Sequence, residues 1–318
     1  MERTTLGRTG LSVSVAGMGS GGYSRLGQAY GNSVGQSVAV VQAAIGAGVN
    51  FIDTAAVYGT EEIVGQAVKN CRDRVVISSK LIVTRPGTSP LGQDFLTGAE
   101  FAQQAEKSLS RLGTDRIDIY HLHGIMPDQY DYCLSELVPA LEQLRDQGKI
   151  KYLGLTERFI HDPGHKMLQR ALQDDCWDVV MTGFNLINQS ARHRVLAKTR
   201  EKNVGTLVMF AVRRALGSDE AIREIVQELA GRGEIDASAL DAQNPLDFLT
   251  APGVADSVID AAYRYCRHEP GVQVVLTGTG SSQHLAENLA SIEKPALPGG
   301  ARDVLKRVFG QVDSVSGN

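Results

Sequence analysis

The chain has 318 residues, of which 42% are hydrophobic and 21% are charged, and its formal net charge is −4. This composition is typical of a globular protein with a large core, and the mildly acidic balance argues against a nucleic-acid or membrane-surface partner, which would need clustered Lys and Arg. The four cysteines are far apart and form no CxxC pair, so they indicate neither a disulfide framework nor a zinc ribbon.

The chain shows no targeting or membrane-spanning pattern. Its first residues, MERTTLGRTGLSVSV, carry charge and glycine where a signal peptide needs an apolar run, and no stretch approaches the length of a membrane span. Because the cysteine pattern also fits a reducing compartment, we expect a cytoplasmic protein.

Short β-branched apolar runs alternate with longer amphipathic segments along the whole sequence. The predicted strands are residues 13–19, 49–53, 74–80, 117–123, 151–156, 177–183, 205–210 and 272–278. The predicted helices are residues 37–48, 61–70, 98–113, 135–148, 165–174, 190–203 and 254–268. Eight apolar strands joined by helical crossovers predict an α/β fold with a parallel sheet, closed into a (β/α)8 TIM barrel; a doubly wound open sheet is the alternative.

Two segments fall outside this repeat. TTLGRTGLSVS, near the amino terminus, predicts a β-hairpin that caps the bottom of the barrel. Residues 211–254, after strand seven, predict a long loop of the kind that shapes an active-site mouth. Since no repeat or linker interrupts the chain, we expect residues 1–318 to form a single barrel domain.

Ionisable residues stand where three consecutive predicted strands end. Strand two ends in Asp53, strand three in Lys80 and strand four in His123, while Tyr58 lies five residues beyond Asp53. Reactive groups of barrel enzymes lie at the carboxyl ends of strands, and neighbouring strands are about 5 Å apart. Each residue alone has an ordinary structural interpretation, such as helix capping by Asp53, but together they predict one active site.

These residue types suit proton transfer to a carbonyl oxygen. We expect Asp53 to hold Lys80 protonated, and the ammonium group to lower the pKa of Tyr58 toward neutrality, so that its hydroxyl can donate and accept a proton. Tyr58 and His123 would stabilise the negative charge that forms on the oxygen when a hydride reaches the carbonyl carbon. The oxidation of an alcohol would use the same steps in reverse.

The motifs NFIDTAAVYG, SSK, RLGTDRIDIYHLHG and GKIKYLGLT follow one another as in aldo-keto reductases, and the resemblance spans nearly the whole chain. It implies an NAD(P)(H)-dependent oxidoreductase that interconverts a small aldehyde, ketone or sugar-like carbonyl compound and its alcohol. The family tetrad corresponds to Asp53, Tyr58, Lys80 and His123. His121 is expected to point to the opposite face of its strand and is interpreted as structural.

The cofactor prediction also rests on this resemblance. GMGSGG (17–22) matches GxGxxG, but no helix follows at once and no acidic residue stands about 20 residues further on, so a Rossmann turn is rejected. LTGTGSSQHLAENL (276–289) instead leads from strand eight into a helix whose amino terminus favours anions. The expected cofactor contacts are Gly19, Ser20, Asp53, Thr156, Phe210, Gly278, Thr279, Gly280, His284, Glu287 and Asn288.

The chain departs from similar reductases in ways that leave NADP and NAD both open. Gly278 and His284 stand where NADP-preferring relatives often carry Lys or Arg for the 2′-phosphate. Thr156 and Glu157 replace a usual Ser-Asn pair after strand five, and Met181 replaces a Gln late in strand six. Recognition of the nicotinamide carboxamide must therefore be arranged differently.

Two other functions are compatible with parts of the sequence. His121 and His123 form an HxH pair that would suit a metal-dependent hydrolase, but strands six to eight end in MTG, VMF and LTG, which supply no further ligand. The second alternative is a cofactor-binding regulatory subunit of the same fold with little turnover.

Substrate specificity depends on the loops around the active-site mouth, and their residues do not identify a particular substrate. The expected mouth loops are Tyr23 to Asn32, residues 124–133 and residues 211–254, and Tyr23, Tyr130 and Phe159 are candidates to line an apolar pocket. The expected partner is a small carbonyl compound or alcohol, and the sequence makes no prediction of oligomeric state.

Overall fold

The computed structural model describes residues 1–318 and begins with a two-stranded antiparallel hairpin. Strand β1 (Arg3–Thr5) pairs with β2 (Ser12–Ser14), and Leu6 in the connection is completely buried. A Cβ atom added to Gly205, the first residue of a barrel strand, would lie 2.8 Å from Leu6 Cγ. The hairpin therefore closes the amino-terminal end of the barrel, which confirms the predicted cap.

Eight parallel strands close into a barrel in which β10 pairs with both β9 and β3. These strands are β3 (Ala16–Gly19), β4 (Phe51–Asp53), β5 (Val76–Leu81), β6 (Ile117–Ile125), β7 (Ile150–Glu157), β8 (Val179–Gly183), β9 (Gly205–Met209) and β10 (Val274–Thr277). The (β/α)8 prediction is confirmed. The predicted strand 13–19 is wrong in one respect, because Val15 separates the hairpin strand β2 from the barrel strand β3.

Helices surround the barrel and connect successive strands. They are α1 (Val34–Gly46), α2 (Glu61–Val68), α3 (Gly98–Leu112), α4 (Tyr130–Tyr132), α5 (Val138–Asp146), α6 (Lys166–Ala171), α7 (Ala197–Glu201), α8 (Asp219–Gly231), α9 (Val258–Arg267), α10 (Ser282–Glu293) and α11 (Gly299–Phe309). Two π-helical segments, Cys133–Leu137 and Arg192–Leu196, precede α5 and α7. None of the helices combines the length and apolarity needed to cross a bilayer.

The barrel strands divide their side chains between two cores. The larger cluster of 74 buried residues lies between strands and helices, and it includes Leu122 of β6 and Leu155 of β7. The smaller cluster lies within the barrel and contains Leu6, Val13, Phe51, Val76, Ile119, Val179, Met181, Leu207 and Val274. Since side chains alternate along a strand, residues two positions beyond Phe51, Val76 and Ile119 also face the interior. Those residues are Asp53, Ser78 and His121.

The stretch after β9 is not a long loop throughout. It contains helix α8, in which Ser218 caps the amino terminus and Ile222, Val226 and Leu229 are buried. A serine cap, acidic residues in the first turn and apolar residues at helical spacing are ordinary helix signals. The prediction of a loop over residues 211–254 is therefore wrong for its middle part.

Candidate functional site

A buried ion pair forms the base of the site. Lys80 Nζ lies 2.6 Å from Asp53 Oδ2 and 2.7 Å from the carbonyl oxygen of Thr54, and the Lys80 side chain is only 1% exposed. The two residues come from adjacent strands, where β4 ends and β5 nears its end. Because an unpaired ammonium at this depth would cost several kcal/mol, Lys80 depends on Asp53 for its charge.

A hydrogen-bonded chain continues from this pair into the barrel. The hydroxyl of Ser78 donates to Asp53 Oδ1 at 2.8 Å, and Nε2 of His121 lies 3.0 Å from the same hydroxyl oxygen. A serine hydroxyl has one hydrogen, so a donation to Asp53 leaves His121 Nε2 as the donor to Ser78. His121 is completely buried.

The expected orientation of His121 is wrong. Residues two apart on a strand share a face, so His121 points into the barrel on the same side as His123. The alternation was already readable from the sequence. Both imidazoles are directed at hydroxyl groups, His121 at Ser78 and His123 at Tyr58. The structure groups no three His, Cys, Asp or Glu side chains that could hold a metal ion.

Tyr58 lies above the ion pair at the carboxyl end of the barrel. It ends a short 3-10 turn, Ala56–Tyr58, and Gly59 follows in the left-handed conformation with φ of 68°. Its hydroxyl is 3.5 Å from His123 Nε2, and Lys80 Nζ is 4.9 Å from the centre of its ring. The structure thus brings the four predicted catalytic side chains together.

Burial and charge set the protonation of these groups. Burial lowers the pKa of Lys80, but the charge of Asp53 and the hydrogen bond to it raise it above its usual value overall. Burial raises the pKa of Tyr58 although Lys80 opposes this, so the expected net lowering is wrong here. Burial and the charge of Lys80 hold the pKa of His123 well below its usual value. At neutral pH the site therefore holds a neutral phenol, a neutral imidazole and an ammonium group.

A cavity of about 640 Å³ leads from Tyr58 to helix α10. Most of the predicted cofactor residues line it, namely Gly19, Asp53, Phe210, Gly278, Thr279, His284, Glu287 and Asn288. A Cβ atom added to Gly278 would lie 2.9 Å from the carbonyl oxygen of Gly19, so this approach of β10 to β3 needs glycine. A cavity whose lining extends from Tyr58 to α10 fits a dinucleotide.

The helix end of this cavity suits a phosphate or ribose. Ser281 caps α10 by accepting a hydrogen bond from the His284 N–H at 3.3 Å, and α10 runs for 12 residues. The amide group of Asn288 donates to Thr277 Oγ1 at 2.9 Å, which fixes that side chain at the cavity wall. The positive end of a helix dipole favours anions at such a position.

Three predicted cofactor contacts lie away from the cavity wall. Ser20 is completely buried, and its hydroxyl is 2.8 Å from Thr60 Oγ1. The Thr156 hydroxyl accepts a hydrogen bond from the Gly124 N–H at 2.7 Å. A Cβ atom added to Gly280 would lie 2.2 Å from Gly27 Cα, so Gly280 packs against the β3–α1 loop. All three have structural contacts in place of exposure to the cavity.

Glu157 also points away from the cavity. Its carboxylate accepts hydrogen bonds from Thr182 Oγ1 and the Gly183 N–H, each at 2.8 Å, and lies 2.9 Å from His165 Nδ1. The side chains of Glu157 and His165 are both fully buried between the strands and the helices. The cavity instead exposes Met181 and Met209. Its wall beside Phe210 therefore presents thioether groups at the place where a polar partner for the nicotinamide carboxamide was expected.

The predicted mouth loops contribute unequally. Tyr23 and Tyr30 of the first loop and residues 211–214 of the third line the cavity, but no residue of 124–133 does. Tyr130 is buried beneath the helices, where its hydroxyl donates to Asp174 at 2.7 Å. Phe159 is also buried and stacks on His165 at 5.2 Å between ring centres. The expectation that Tyr130 and Phe159 line a pocket is therefore wrong.

Four arginines near the site, Arg25, Arg158, Arg213 and Arg214, were not identified from the sequence. Arg213 lines the cavity, with its guanidinium carbon 3.9 Å from the centre of the Phe210 ring. Arg158 lies beside His123, and its Nε donates to the carbonyl oxygen of Gly124 at 3.0 Å. Isolated arginines after strand ends carry no specific sequence signal, because most such residues are solvated.

Comparison with known proteins places the chain in a family. The family model described as "Aldo/keto reductase family" matches residues 17–299. L-galactose dehydrogenase of Arabidopsis thaliana is 35% identical over 160 residues, which cover 49% of this chain and 48% of the plant protein, or about half the length of each. Aldo-keto reductase YhdN of Bacillus subtilis (strain 168) is 27% identical over 292 residues, covering 87% of this chain and 85% of that protein.

Solved structures agree on the fold. The holo form of the aldo-keto reductase AKR11C1 from Bacillus halodurans superimposes with a TM-score of 0.72 at 21% identity, and the match covers 98% of this chain and 97% of that one. Members of the matched family are NAD(P)(H)-dependent oxidoreductases. The chain belongs to the aldo/keto reductase family.

Proposed function

We propose that this protein interconverts a small aldehyde, ketone or sugar-like carbonyl compound and its alcohol, with Tyr58 as the general acid and base. The observation that carries the proposal is the position of the Tyr58 hydroxyl, 3.5 Å from His123 Nε2 and directly above the Lys80–Asp53 pair. The similarity to an L-galactose dehydrogenase supports a sugar-like substrate class.

Bound NADPH or NADH would supply the hydride. The residues proposed to hold the nucleotide are those that line the cavity, from Gly19 and Phe210 at one end to His284, Glu287 and Asn288 at the other. Either nucleotide is compatible with this set, because the helix end offers one imidazole and one carboxylate side chain and no Lys or Arg from α10.

The remaining chemistry is assigned to the protein side chains. Tyr58 enters the reaction protonated, because burial raises its pKa, and its O–H points a proton at the substrate oxygen. His123, neutral at this pH, would donate its Nε2–H to the same oxygen as negative charge develops there. When Tyr58 releases its proton, the nearby Lys80 ammonium would stabilise the phenolate. Asp53 keeps Lys80 charged throughout.

The regulatory alternative remains a second candidate because of one observation. Met181 and Met209 line the cavity beside Phe210, while neither Thr156 nor Glu157 is exposed to it. A protein that only senses bound nucleotide does not need its nicotinamide held in a reactive orientation. Measurable turnover that depends on Tyr58 separates the two candidates.

We also propose that residues 1–318 form a single domain of a cytoplasmic protein. The hairpin closes one end of the barrel, and the segment after α11 is anchored to the β8–α7 connection, where Asn185 Nδ2 donates to the Ser316 carbonyl oxygen at 3.0 Å. The four cysteines are free thiols, which supports a reducing compartment.

The test is nucleotide titration followed by turnover. NADPH and NADH are titrated separately by fluorescence, and oxidation of the nucleotide that binds is then followed with an aldehyde panel. Tyr58→Phe should reduce kcat by about 10² or more, because it removes the general acid, and should leave nucleotide affinity nearly unchanged. Tyr132→Phe is the matched control, since that hydroxyl donates to the Leu96 carbonyl oxygen away from the cavity. Full activity of Tyr58→Phe would refute the assignment.

A further inference from the structure

Three guanidinium groups that lie near Tyr58 or His123 have no carboxylate partner, and of these only Arg213 lines the cavity. Arg25 Nε donates to the Tyr58 carbonyl oxygen at 2.8 Å, Arg158 Nε to the Gly124 carbonyl oxygen at 3.0 Å, and Arg213 Nε to Asn318 Oδ1 at 3.0 Å. Each arginine comes from a different βα connection and is held through a neutral oxygen. None of the three positive charges is balanced by an acidic side chain within salt-bridge distance.

Arg158 is more buried than Arg25 and, unlike Arg213, has no protein partner on its terminal nitrogens. It is half-buried, and only its Nε has a hydrogen-bond partner within the protein, so both terminal nitrogens remain available. Its guanidinium lies on Gly124, the residue after His123. The backbone φ of Gly124 is 65°. A Cβ atom added to Gly124 would lie 3.1 Å from Arg158 Nη2, so the absence of a side chain there creates the seat of the guanidinium.

The electrostatics of Arg158 are those of an incomplete ion pair. Burial lowers its pKa, and no acidic side chain offsets this effect. Its charge also contributes, after burial and Lys80, to the low pKa of His123. A partly desolvated cation that lacks a protein counter-ion costs free energy unless a ligand supplies the negative charge.

The order of strands places Arg158 away from the nucleotide segment. In the closed ring of eight strands, β6 is four positions from β10, on the opposite side of the barrel, and Arg158 follows β7 beside it. The predicted nucleotide segment follows β10. Arg213, in contrast, follows β9 next to β10 and lines the cavity, so it can meet a phosphate of the nucleotide. An anion bound at Arg158 would therefore be part of the substrate.

We propose that the substrate of this protein is an anionic carbonyl compound whose carboxylate or phosphate group is bound by Arg158. This inference rests on the proposed reductase function and names its substrate class. The two terminal nitrogens form the planar fork that pairs with two oxygens of a carboxylate or phosphate. The reacting carbonyl group would lie at Tyr58 and His123, with the anionic group directed toward the β7–α6 connection.

The test uses pairs of aldehydes that differ in charge. Succinic semialdehyde is compared with butanal, and glyceraldehyde 3-phosphate with glyceraldehyde, by steady-state kinetics at saturating reduced nucleotide. The two pairs distinguish a carboxylate from a phosphate. Variants are Arg158→Met, Arg158→Lys and, as a matched control, Arg3→Met, which removes the same charge from β1 at the other end of the barrel.

In the wild-type protein, kcat/KM should favour the anionic member of at least one pair by about 10- to 100-fold, the range expected for a charged hydrogen-bonded contact. Arg158→Met should remove this preference mainly by raising KM for the anionic aldehyde, with the neutral aldehyde changed by less than about threefold. Arg158→Lys should keep part of the preference, and Arg3→Met all of it. Equal kcat/KM values within both wild-type pairs, or equal losses for both members in Arg158→Met, would overturn the proposal.

A binding measurement separates this proposal from the proposed catalysis. Succinate and inorganic phosphate are titrated calorimetrically into the complexes of wild-type and Arg158→Met protein with reduced nucleotide. If no aldehyde is turned over but an anion binds only when Arg158 is present, the reductase function fails and the anion site stands. If butanal is reduced in a Tyr58-dependent way while no anion preference or binding exists, the anion site fails and the reductase function stands.

Discussion

The imidazole of His121 fills the space left by the missing side chain of Gly154. A Cβ atom on Gly154, in the neighbouring strand β7, would lie 2.2 Å from His121 Nδ1. Glycine at this position therefore allows a full imidazole to fit inside the barrel and to reach Ser78, which in turn donates to Asp53. The position of the Asp53 carboxylate, proposed to act in catalysis, therefore depends on Gly154 of the neighbouring strand.

Gly154→Ala should destabilise the protein and disturb the Asp53 network. The added methyl group must displace a fully buried ring, and overpacking of this kind costs about 1–3 kcal/mol of unfolding free energy. Urea unfolding measures the loss, and kcat of any aldehyde reduction should fall together with it. Gly46→Ala is the control, since nothing lies within 4 Å of its added Cβ atom on α1. Equal stability of the two variants would show that the barrel interior accommodates the methyl group.

Stability should depend on pH through the buried histidines. Burial and the charge of Lys80 lower the pKa of His121 and His123 in the folded protein. Below about pH 6.5 the unfolded chain binds protons at these positions that the folded chain does not, so the unfolding free energy should fall as pH falls. Each such histidine contributes a slope of up to about 1.4 kcal/mol per pH unit.

Urea unfolding of wild-type and His121→Gln protein at pH 7.5, 6.0 and 5.0 measures this slope. The pH dependence of the unfolding free energy should be smaller in the variant by about the contribution of one histidine. His193→Gln, which removes an exposed histidine, serves as the control and should keep the wild-type slope. A wild-type stability that stays constant or rises on acidification would contradict the low pKa values.

Glu157→Gln should affect stability and leave nucleotide binding nearly unchanged. The carboxylate satisfies three buried donors on Thr182, Gly183 and His165, and its loss should cost about 3 kcal/mol of unfolding free energy. Because Glu157 points away from the cavity, the Kd of the folded variant for reduced nucleotide should change by less than about threefold. Glu142→Gln is the control on an exposed pair with Arg145 and should change stability by less than about 0.5 kcal/mol. A large rise in Kd with normal stability would place Glu157 in the binding site.

His284→Arg should shift nucleotide preference toward NADPH. His284 lines the cavity at the first turn of α10, where a guanidinium can pair with a 2′-phosphate. We expect the ratio of NADH to NADPH dissociation constants to rise about tenfold, which fluorescence titration measures. Ala286→Arg adds the same charge at an exposed position outside the cavity wall and should leave the ratio unchanged. An equal shift in both variants would indicate only a general effect of net charge.

The fold and the grouping of the proposed catalytic side chains could be predicted because both depend on local order along the chain. Apolar β-branched runs alternating with amphipathic segments determine parallel strands with helical crossovers, and strand ends then place Asp53, Lys80 and His123 on one rim. The helix α8 was also present in the sequence, since Ser218 and the buried positions Ile222 and Val226 form an ordinary helix pattern. Its assignment to a loop was an error of interpretation.

Other features were decided by tertiary structure. Periodicity shows which residues of a strand share a face, and it therefore places His121 on the same face as His123. Closure of the barrel determines which residues that face contacts. Glu157 ends a strand, as the proposed catalytic residue Asp53 does, yet its side chain turns outward to His165. The Arg158 guanidinium packs on Gly124 of the adjacent strand β6, and its lack of a counter-ion is visible only once every neighbour is placed. Contacts between distant segments depend on packing, which no local pattern specifies.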